Sequence, residues 1–327
     1  MAASWRALRR RILTPNIRET KLERRGFYEK SPQARQLLES VGEYFLAGYA
    51  IAAEARSVAE AEDGLEKLPA EFRGFAYEGA GMAFGVRDGL PFGGHWVADF
   101  IAGPGERHIY MIYVGVGWAL ARLPRLRWAN ATAALTDPVL RWLALDGYGF
   151  HQAYFQTGRY VREQYQDPDF SWPPDGPAGY RGRAIDQGIG RATWFVCGAD
   201  PARVASQFDA FPQARRADLY SGAALAATYA GGLTEAELRT FKDRGSAYLP
   251  QIAQGSAFAA TARVRAGLET SHTFLAAEVL CGTTPQEAAG ICDGALPSPT
   301  DGGDVTAFEL WRLRIAGRLA SLEGTST

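Results

Sequence analysis

Residues 77–83 read Tyr-Glu-Gly-Ala-Gly-Met-Ala, and five further stretches of the same glycine-centred kind follow along the chain. They are 113–119 (Tyr-Val-Gly-Val-Gly-Trp-Ala), 145–151 (Leu-Asp-Gly-Tyr-Gly-Phe-His), 186–192 (Asp-Gln-Gly-Ile-Gly-Arg-Ala), 220–226 (Tyr-Ser-Gly-Ala-Ala-Leu-Ala) and 253–259 (Ala-Gln-Gly-Ser-Ala-Phe-Ala). The first glycines of successive copies are 36, 32, 41, 34 and 33 residues apart. A frayed copy at 46–50 precedes them, with Gly48 lying 31 residues before Gly79.

A near-constant period of this length is typical of repeated helix pairs. A single helix of this kind cannot bury its apolar stripe alone. The stripe is buried when the helix stacks on its neighbours. Glycine inside a helix costs about 1 kcal/mol relative to alanine, which is tolerable where two backbones approach closely or a ligand needs room. Strand patterns are scarce, so we predict an all-α protein of stacked helical hairpins of about 34 residues. The arrangement would be a TPR-like solenoid or a closed helical array, with a C-terminal capping helix.

Local sequence patterns predict where helices begin and where the chain divides into segments. Ser31 followed by Pro32 is a helix start, and Thr234 with Glu237 three residues later is a second one. The 41-residue interval contains a stretch rich in Pro, Asp and Gly, which we read as an inserted loop. The predicted organisation is a basic lead-in at 1–30, a helical-repeat domain at 31–292 with a Pro-rich insertion at 166–180, a linker at 293–304, and a capping helix and tail at 305–327.

Composition favours a cytoplasmic protein without a polyanionic partner. The chain of 327 residues is 47% hydrophobic with a formal net charge of −1, so we expect no nucleic-acid partner. Three cysteines without metal spacing suggest a reducing compartment. The start has no apolar core of signal-peptide length, and the longest apolar run, 109–121, is too short to span a bilayer. Gly-x-Gly occurs without a preceding strand, so we expect no dinucleotide or other cofactor.

Polar side chains stand immediately before most of the leading glycines. They are Glu78, Asp146, Gln187, Ser221 and Gln254, with Val114 as the exception. If the repeats superpose, these side chains point to one face, and buried carboxylates there can act as general acids. We predict Glu78, Asp146 and Asp186 as proton donors or acceptors, and Arg191 as an orienting group. The alternative is that each polar residue caps or bridges a neighbouring helix.

Histidines and aromatic residues complete the predicted site. His108 and His151 are candidate partners of the carboxylates; no His-x-x-x-His pair occurs, and a metal site stays open. Aromatic stripes at helical spacing form either a core or a pocket wall for a flat apolar molecule. These aromatic residues are Tyr77, Tyr110, Tyr113, Trp118, Tyr148, Phe150, Tyr154, Phe155, Trp194 and Phe195. Of them, Tyr77, Tyr110, Trp118, Tyr148, Phe150 and Trp194 are predicted to bind substrate, together with Gln187, Arg191, Ser221 and Gln254.

The sequence resembles family 1702 of the domains of unknown function, whose members occur in actinobacterial gene clusters for enediyne polyketides and related natural products. The resemblance covers most of residues 10–265. It rests on 13–15 (Leu-Thr-Pro), 25–27 (Arg-Gly-Phe), 77–80, 108–111, 118–120, 146–151, 186–191 and 216–222. It implies a role in building or handling a reactive, polyene-derived product and carries over no catalytic residues.

Three functions are therefore predicted as alternatives. The first is a biosynthetic enzyme that cyclises or isomerises a hydrophobic polyene-derived intermediate by carboxylate acid/base chemistry. The second is a helical-repeat protein that binds a pathway enzyme or sequesters a reactive product. The third is a proton-initiated, terpene-cyclase-like enzyme; the metal-dependent kind is disfavoured because no DDxxD-type cluster is present. The expected partners are a hydrophobic small molecule and enzymes of the same pathway.

Overall fold

The computed structural model describes residues 16–298 and 305–325, and within them the chain is all-helical, without a strand. The α-helices are α1 (Leu22–Arg25), α2 (Pro32–Glu54), α3 (Val58–Leu65), α4 (Ala70–Gly89), α5 (Trp96–Ile101), α6 (Ile109–Arg122), α7 (Trp128–Ala131), α8 (Leu143–Phe155), α9 (Ala178–Val196), α10 (Pro201–Asp209), α11 (Gln213–Ala230), α12 (Glu235–Arg244), α13 (Leu249–Ala266), α14 (Ser271–Cys281), α15 (Pro285–Gly294) and α16 (Ala307–Thr325). The prediction of an all-α fold is confirmed.

Side-chain caps begin the helices where the sequence predicts them. The Ser31 hydroxyl accepts a hydrogen bond from the Ala34 amide, and Pro32 occupies the first helical position of α2. Thr234 and Glu237 form a reciprocal capping box at the start of α12. Each cap satisfies amide groups that the first turn of a helix leaves without partners.

Seven helices, which we call the glycine helices, carry the recurring stretches and pack one on the next. In chain order they are α2, α4, α6, α8, α9, α11 and α13, and every consecutive pair is in contact. Shorter helices connect most of them, and an irregular segment with a π-helical turn at Gly158–Arg162 connects α8 to α9. The glycine-centred stretches therefore lie on neighbouring surfaces of one continuous series.

The leading glycines touch the backbone of the preceding glycine helix. A β-carbon built on Gly115 would lie 2.1 Å from the carbonyl oxygen of Glu78, and one on Gly188 would lie 1.9 Å from that of Asp146. Ordinary van der Waals contact for such atoms begins at about 3.4 Å. Any residue other than glycine would force the two helices apart, so the recurring glycines set the helix-to-helix distance.

The first four stretches contain a second glycine, which makes the matching contact with the following helix. A β-carbon on Gly117 would lie 2.0 Å from the carbonyl oxygen of Ala144, and one on Gly149 would lie 2.1 Å from that of Ile185. The accepting residue stands three positions before the next leading glycine in both cases. The same register therefore repeats from one helix pair to the next.

This register corrects the alignment of the frayed copy on α2. A β-carbon on Gly48 would meet the carbonyl oxygen of Ala76, three positions before Gly79, so Gly48 is a second glycine. A β-carbon on Gly79 would in turn meet the carbonyl oxygen of Phe45. Leu46 therefore occupies the leading position, and the spacing is 79 − 46 = 33 residues instead of the 31 read from the sequence.

The segments outside the glycine helices are described in part. The lead-in residues 1–15 and the linker residues 299–304 lie outside the described part of the chain. Helix α16 packs on α13 and α15, and its Trp311 indole donates a hydrogen bond to the Cys292 carbonyl at 2.8 Å.

The end of the series returns to its beginning. Helix α11 contacts α2, and the rings of Phe75 on α4 and Tyr229 on α11 meet edge to face at 5.0 Å between centroids. The Arg263 guanidinium on α13 donates to the Glu71 carbonyl at 2.9 Å. The glycine helices thus surround a common interior. No helix in the described part of the chain is long and apolar enough to cross a membrane.

The glycine contacts predict a strong asymmetry between two alanine substitutions. Gly188→Ala places a methyl group against the Asp146 carbonyl and should lower the free energy of unfolding by about 3 kcal/mol or more. Gly290→Ala, inside α15 with no atom within 4 Å of its added methyl group, should raise stability by up to about 1 kcal/mol. Urea unfolding of both variants measures the difference, and equal stabilities would contradict the close packing of α8 and α9.

Candidate functional site

A cavity of about 470 Å³, the central cavity, lies inside the series of glycine helices. Six of the seven helices line it, and the exposed residues Asn16 and Arg122 stand at its rim. Its volume is in the range of sites for small organic ligands. The walls are mainly apolar and rich in aromatic rings, which come from Phe45, Phe75, Trp118, Phe150, Tyr154, Phe155, Phe195 and Tyr229.

One arginine and two carboxyl groups meet in the interior. Arg191 on α9 contacts Asp146 on α8 through a close Nη1–Oδ1 pair, and its Nη2 lies 3.5 Å from Oε1 of Glu78 on α4. The exposed fractions of Glu78, Asp146 and Arg191 are 2%, 1% and 6%. Charges so far from water must be compensated locally, and one guanidinium can fully neutralise only one of the two carboxylates.

The arrangement favours a protonated Glu78. Asp146 makes the closer contact with Arg191. Glu78 lies farther from the guanidinium, and it accepts a hydrogen bond from the neutral Trp118 indole at 3.0 Å. Burial raises the pKa of Glu78 to about 7, and the nearby Asp146 charge adds to this against the opposing effect of Arg191. Near neutral pH, both the protonated and the ionised form of Glu78 are therefore populated.

One oxygen of Glu78 is left for a ligand. The Trp118 indole and the Arg191 guanidinium both approach Oε1. Oε2 takes part in neither contact, and Glu78 lines the central cavity. The carboxyl group is thus held in place through one oxygen while the other can present a proton to the cavity.

Asp146 lies on the far side of the cluster. It lines a smaller cavity of about 40 Å³ that shares Arg191, Leu225 and Tyr229 with the central one. Burial raises the pKa of Asp146 and Arg191 lowers it, and Oδ2 has no hydrogen-bond partner. Because Asp146 fixes the guanidinium that faces Glu78, its contacts favour a positioning role.

The glycine pattern explains why these side chains meet. Glu78 and Asp146 each directly precede a leading glycine, and Arg191 directly follows a second glycine. The glycines occupy the surfaces where neighbouring helices touch, so the adjacent positions on the same turns face the interior. Residues from three separate repeats are brought together in this way.

Three further predicted residues lie beside this cluster. Trp118, Phe150 and His151 line the central cavity together with Glu78 and Arg191. Burial lowers the pKa of His151 to about 4, so its imidazole is neutral near pH 7, and its Nδ1 has no hydrogen-bond partner. Tyr110 lies apart from them and lines only the smaller cavity.

Asp186 is placed elsewhere, although the sequence groups it with the other two carboxylates. Two hydrogen bonds from Arg215, at 2.9 and 2.6 Å, engage both of its oxygens. Burial raises the pKa of Asp186 to about 6 against the effect of Arg215. Both residues line a separate cleft beside Tyr148, whose hydroxyl accepts a hydrogen bond from Gln152. Asp186 stands two positions before its leading glycine, and it does not line the central cavity.

His108 and Tyr77 also lie outside the central cavity. Their rings stack with centroids 3.6 Å apart, and the Tyr77 hydroxyl donates to Glu66 at 2.8 Å. Burial lowers the pKa of His108 to about 3, and both of its ring nitrogens lack hydrogen-bond partners. The stack packs α4 against the start of α6 and does not place His108 beside Glu78.

The remaining predicted polar residues bond mainly to one another. Ser221 donates to Gln254 at 2.8 Å, and Arg312 on α16 donates to the same Gln254 oxygen at 3.2 Å. Gln187 is fully buried and does not line the central cavity, and Trp194 packs edge to face on Phe241. Ser221 and Gln254 therefore bridge neighbouring helices, which is the alternative to a catalytic role that the sequence left open for these positions.

Phe45, Phe75 and Tyr229 line the central cavity but are not among the residues predicted from sequence. Phe45 occupies the polar position of the frayed copy, which becomes visible only with the corrected register. Tyr229 follows the leading Gly222 by seven residues, or two helical turns, so a search at heptad spacing would have found it. In the described residues no three His, Cys, Asp or Glu side chains are grouped to hold a metal ion.

Comparison with known proteins yields one match. The family described as "Protein of unknown function (DUF1702)" matches residues 4–319, which is nearly the whole chain. Searches of curated proteins and of solved structures returned no match.

The raised pKa of Glu78 predicts a pH-dependent stability difference. The folded state holds the proton more tightly than the unfolded state, so this contribution is complete below about pH 4.5 and is lost as the pH rises to about 7. Relative to Glu78→Gln, the wild type should lose up to about 3 kcal/mol of unfolding free energy across this window. Urea unfolding of both proteins at several pH values tests this, and a difference independent of pH would contradict it.

Proposed function

The chain belongs to the DUF1702 family, and from that premise we propose that it is an enzyme that cyclises or isomerises a hydrophobic, polyene-derived small molecule by proton transfer. Glu78 is the proton donor, and the central cavity holds the substrate. The observation that carries the proposal is a carboxyl group with a raised pKa and one free oxygen in an aromatic-lined cavity.

The proton transfers of this reaction balance without a further reactant. Glu78 Oε2 donates a proton to one atom of a conjugated substrate, and a proton lost from another carbon restores the acid after the double bonds have shifted. The product is an isomer, or a ring if a carbon–carbon bond forms before the second proton is lost. Aromatic faces stabilise the positive charge that develops between these two transfers. His151 is neutral and lines the same cavity, so it is our candidate for accepting the proton lost from carbon and passing it back to Glu78.

The biosynthetic context of the proposal comes from the resemblance of the sequence to family 1702. It supports an enediyne-type or related natural-product pathway of an actinobacterium, with other enzymes of that pathway as partners; the low cysteine count supports a cytoplasmic location. The cavity adds physical support, since its mainly apolar walls suit a long unsaturated hydrocarbon skeleton.

We also infer that the glycine helices are copies of one helical-hairpin repeat and that α16 is a terminal cap. The repeated backbone register from Gly48 to Gly255 supports the repeat. The contacts of α16 with α13 and α15 support the cap. The contacts between α11 and α2 favour a closed array over an open solenoid.

The alternative functions predicted from the sequence differ in whether they need an acid in the central cavity. A proton-initiated, terpene-cyclase-like reaction is a special case of the proposal and needs the same acid. A protein that sequesters a product, or that binds a pathway enzyme, has no use for an exchangeable proton on Glu78. The effects of Glu78→Gln on turnover and on binding therefore distinguish these functions.

Ligand binding can be tested with a fluorescent polyene, diphenylhexatriene. Wild type should bind it and increase its fluorescence. Ala226→Trp should weaken binding at least tenfold because it fills the cavity at a wall position, whereas Glu78→Gln should change it less than about twofold. Fluorescence titration gives the dissociation constants. Equal binding by all three proteins would place the probe outside the central cavity and contradict the proposal.

Turnover can be tested on conjugated polyenes extracted from a producing strain that lacks this gene. Purified wild type should convert one component, seen as a change in absorption spectrum and chromatographic retention. Glu78→Gln should lower the rate by about 10²-fold to 10⁴-fold, the usual contribution of a general acid. The control is Glu163→Gln, the same change at an exposed position, which should leave the rate unchanged.

Wild-type activity should also fall as the pH rises through about 7, because Glu78 then loses its proton. Full activity of Glu78→Gln would contradict the enzymatic proposal.

A further inference from the structure

We infer that the central cavity binds its ligand through an oxygen atom held between the Tyr229 hydroxyl and the Glu78 carboxyl, so the substrate is a conjugated ketone or aldehyde. This inference rests on the proposed function and specifies the substrate class of the same site. It assigns Tyr229 a role in binding the reacting group.

Tyr229 presents a hydroxyl without a partner inside the molecule. The residue is 4% exposed, lines both cavities, and its hydroxyl oxygen makes no hydrogen bond. Leaving a buried hydroxyl unpaired costs about 1–3 kcal/mol, and a phenylalanine would avoid that cost. A ligand atom that accepts a hydrogen bond in the cavity accounts for the tyrosine.

A glycine places this hydroxyl near Glu78. The Tyr229 oxygen packs over Gly74 on α4, where an added β-carbon would lie 1.9 Å from it. Gly74 and Glu78 are four residues apart on one helix, so they share a face one turn apart. Side chains on a helix lean toward its N-terminus, which brings the Glu78 carboxyl toward Gly74. Burial raises the pKa of Tyr229, Arg263 opposes this, and a charge on Glu78 adds to it, as expected for a nearby group.

Two donors converging on one site fit a carbonyl oxygen. Below about pH 7 the Glu78 carboxyl is protonated and donates through the oxygen that Trp118 and Arg191 leave free. The Tyr229 hydroxyl donates as well, and a carbonyl oxygen has two lone pairs to accept both bonds. A hydrocarbon would leave both donors unpaired, so the site discriminates against it.

The same contacts prepare the ligand for the proposed reaction. Hydrogen bonds to a conjugated carbonyl draw electron density toward its oxygen, and a proton transferred from Glu78 forms the enol cation. Loss of a proton from a carbon along the chain then gives a dienol. Return of a proton to a different carbon, with the oxygen-bound proton passing back to Glu78, reforms the carbonyl and completes a double-bond shift. Protons and electrons balance without a co-reactant, and Tyr229 keeps its proton throughout.

Two diphenyl probes of similar length test the inference. Dibenzylideneacetone has a conjugated carbonyl, and diphenylhexatriene is the hydrocarbon counterpart. In the wild type the ketone should bind and its absorption band should shift to longer wavelength, as hydrogen-bonded enones do. Tyr229→Phe should weaken ketone binding about tenfold and reduce the shift, with hydrocarbon affinity unchanged or improved.

The control is Tyr154→Phe, which alters another tyrosine of the cavity whose surrounding charges are Arg25, Glu39 and Glu19. It should leave the ratio of the two affinities unchanged. Tyr229→Phe removes only an unpartnered oxygen, so folding should be retained, and its thermal unfolding checks this.

The outcomes separate the two proposals. If Tyr229→Phe binds both probes as the wild type does, oxygen recognition is overturned and the proposed function stands. If ketone binding depends on Tyr229 but Glu78→Gln keeps full turnover, oxygen recognition stands and the proposed function is contradicted. If neither probe binds the wild type, both are contradicted.

Discussion

The architecture depends on backbone contact between neighbouring helices at glycine. A glycine on each side of the contact, or on one side only between α11 and α13, brings one helix against the carbonyl oxygens of the next, and the same register recurs from Gly48 to Gly255. Close contact removes side chains from the helix interfaces and directs the flanking residues to the interior. The central cavity lies between six of these helices, where the flanking residues meet.

Burial then determines the chemistry available inside. Arg191 is the cation that contacts both Glu78 and Asp146, and it cannot neutralise two carboxylates at once. The proton that the cluster retains near neutral pH rests on Glu78, which is farther from the guanidinium and faces the larger cavity. Asp186 differs from Glu78 because it has an arginine of its own. Arg215 donates two hydrogen bonds to it, and neither residue lines the central cavity.

Much of the fold could be predicted from sequence, and the site only in part. The glycine period and the capping residues are local patterns, so the all-helical fold and the helix starts at Pro32 and Glu235 follow from them. Glu78 and Arg191 could be named because they flank the glycines. Asp186 could not be separated from Asp146 in the sequence, since its partner Arg215 comes from another helix. Tyr229 lies two turns from its glycine, and its position depends on how the series closes on α4.

The central claim is that Glu78 carries an exchangeable proton near pH 7 in the folded protein. Infrared difference spectroscopy between wild type and Glu78→Gln, recorded across a pH titration, measures this directly. We predict a carbonyl stretch of a protonated carboxyl in the wild type that disappears with a midpoint at about pH 7 and is missing in the variant. A wild type whose spectrum contains no such band above about pH 5.5, well clear of the ordinary range for glutamate, would contradict it.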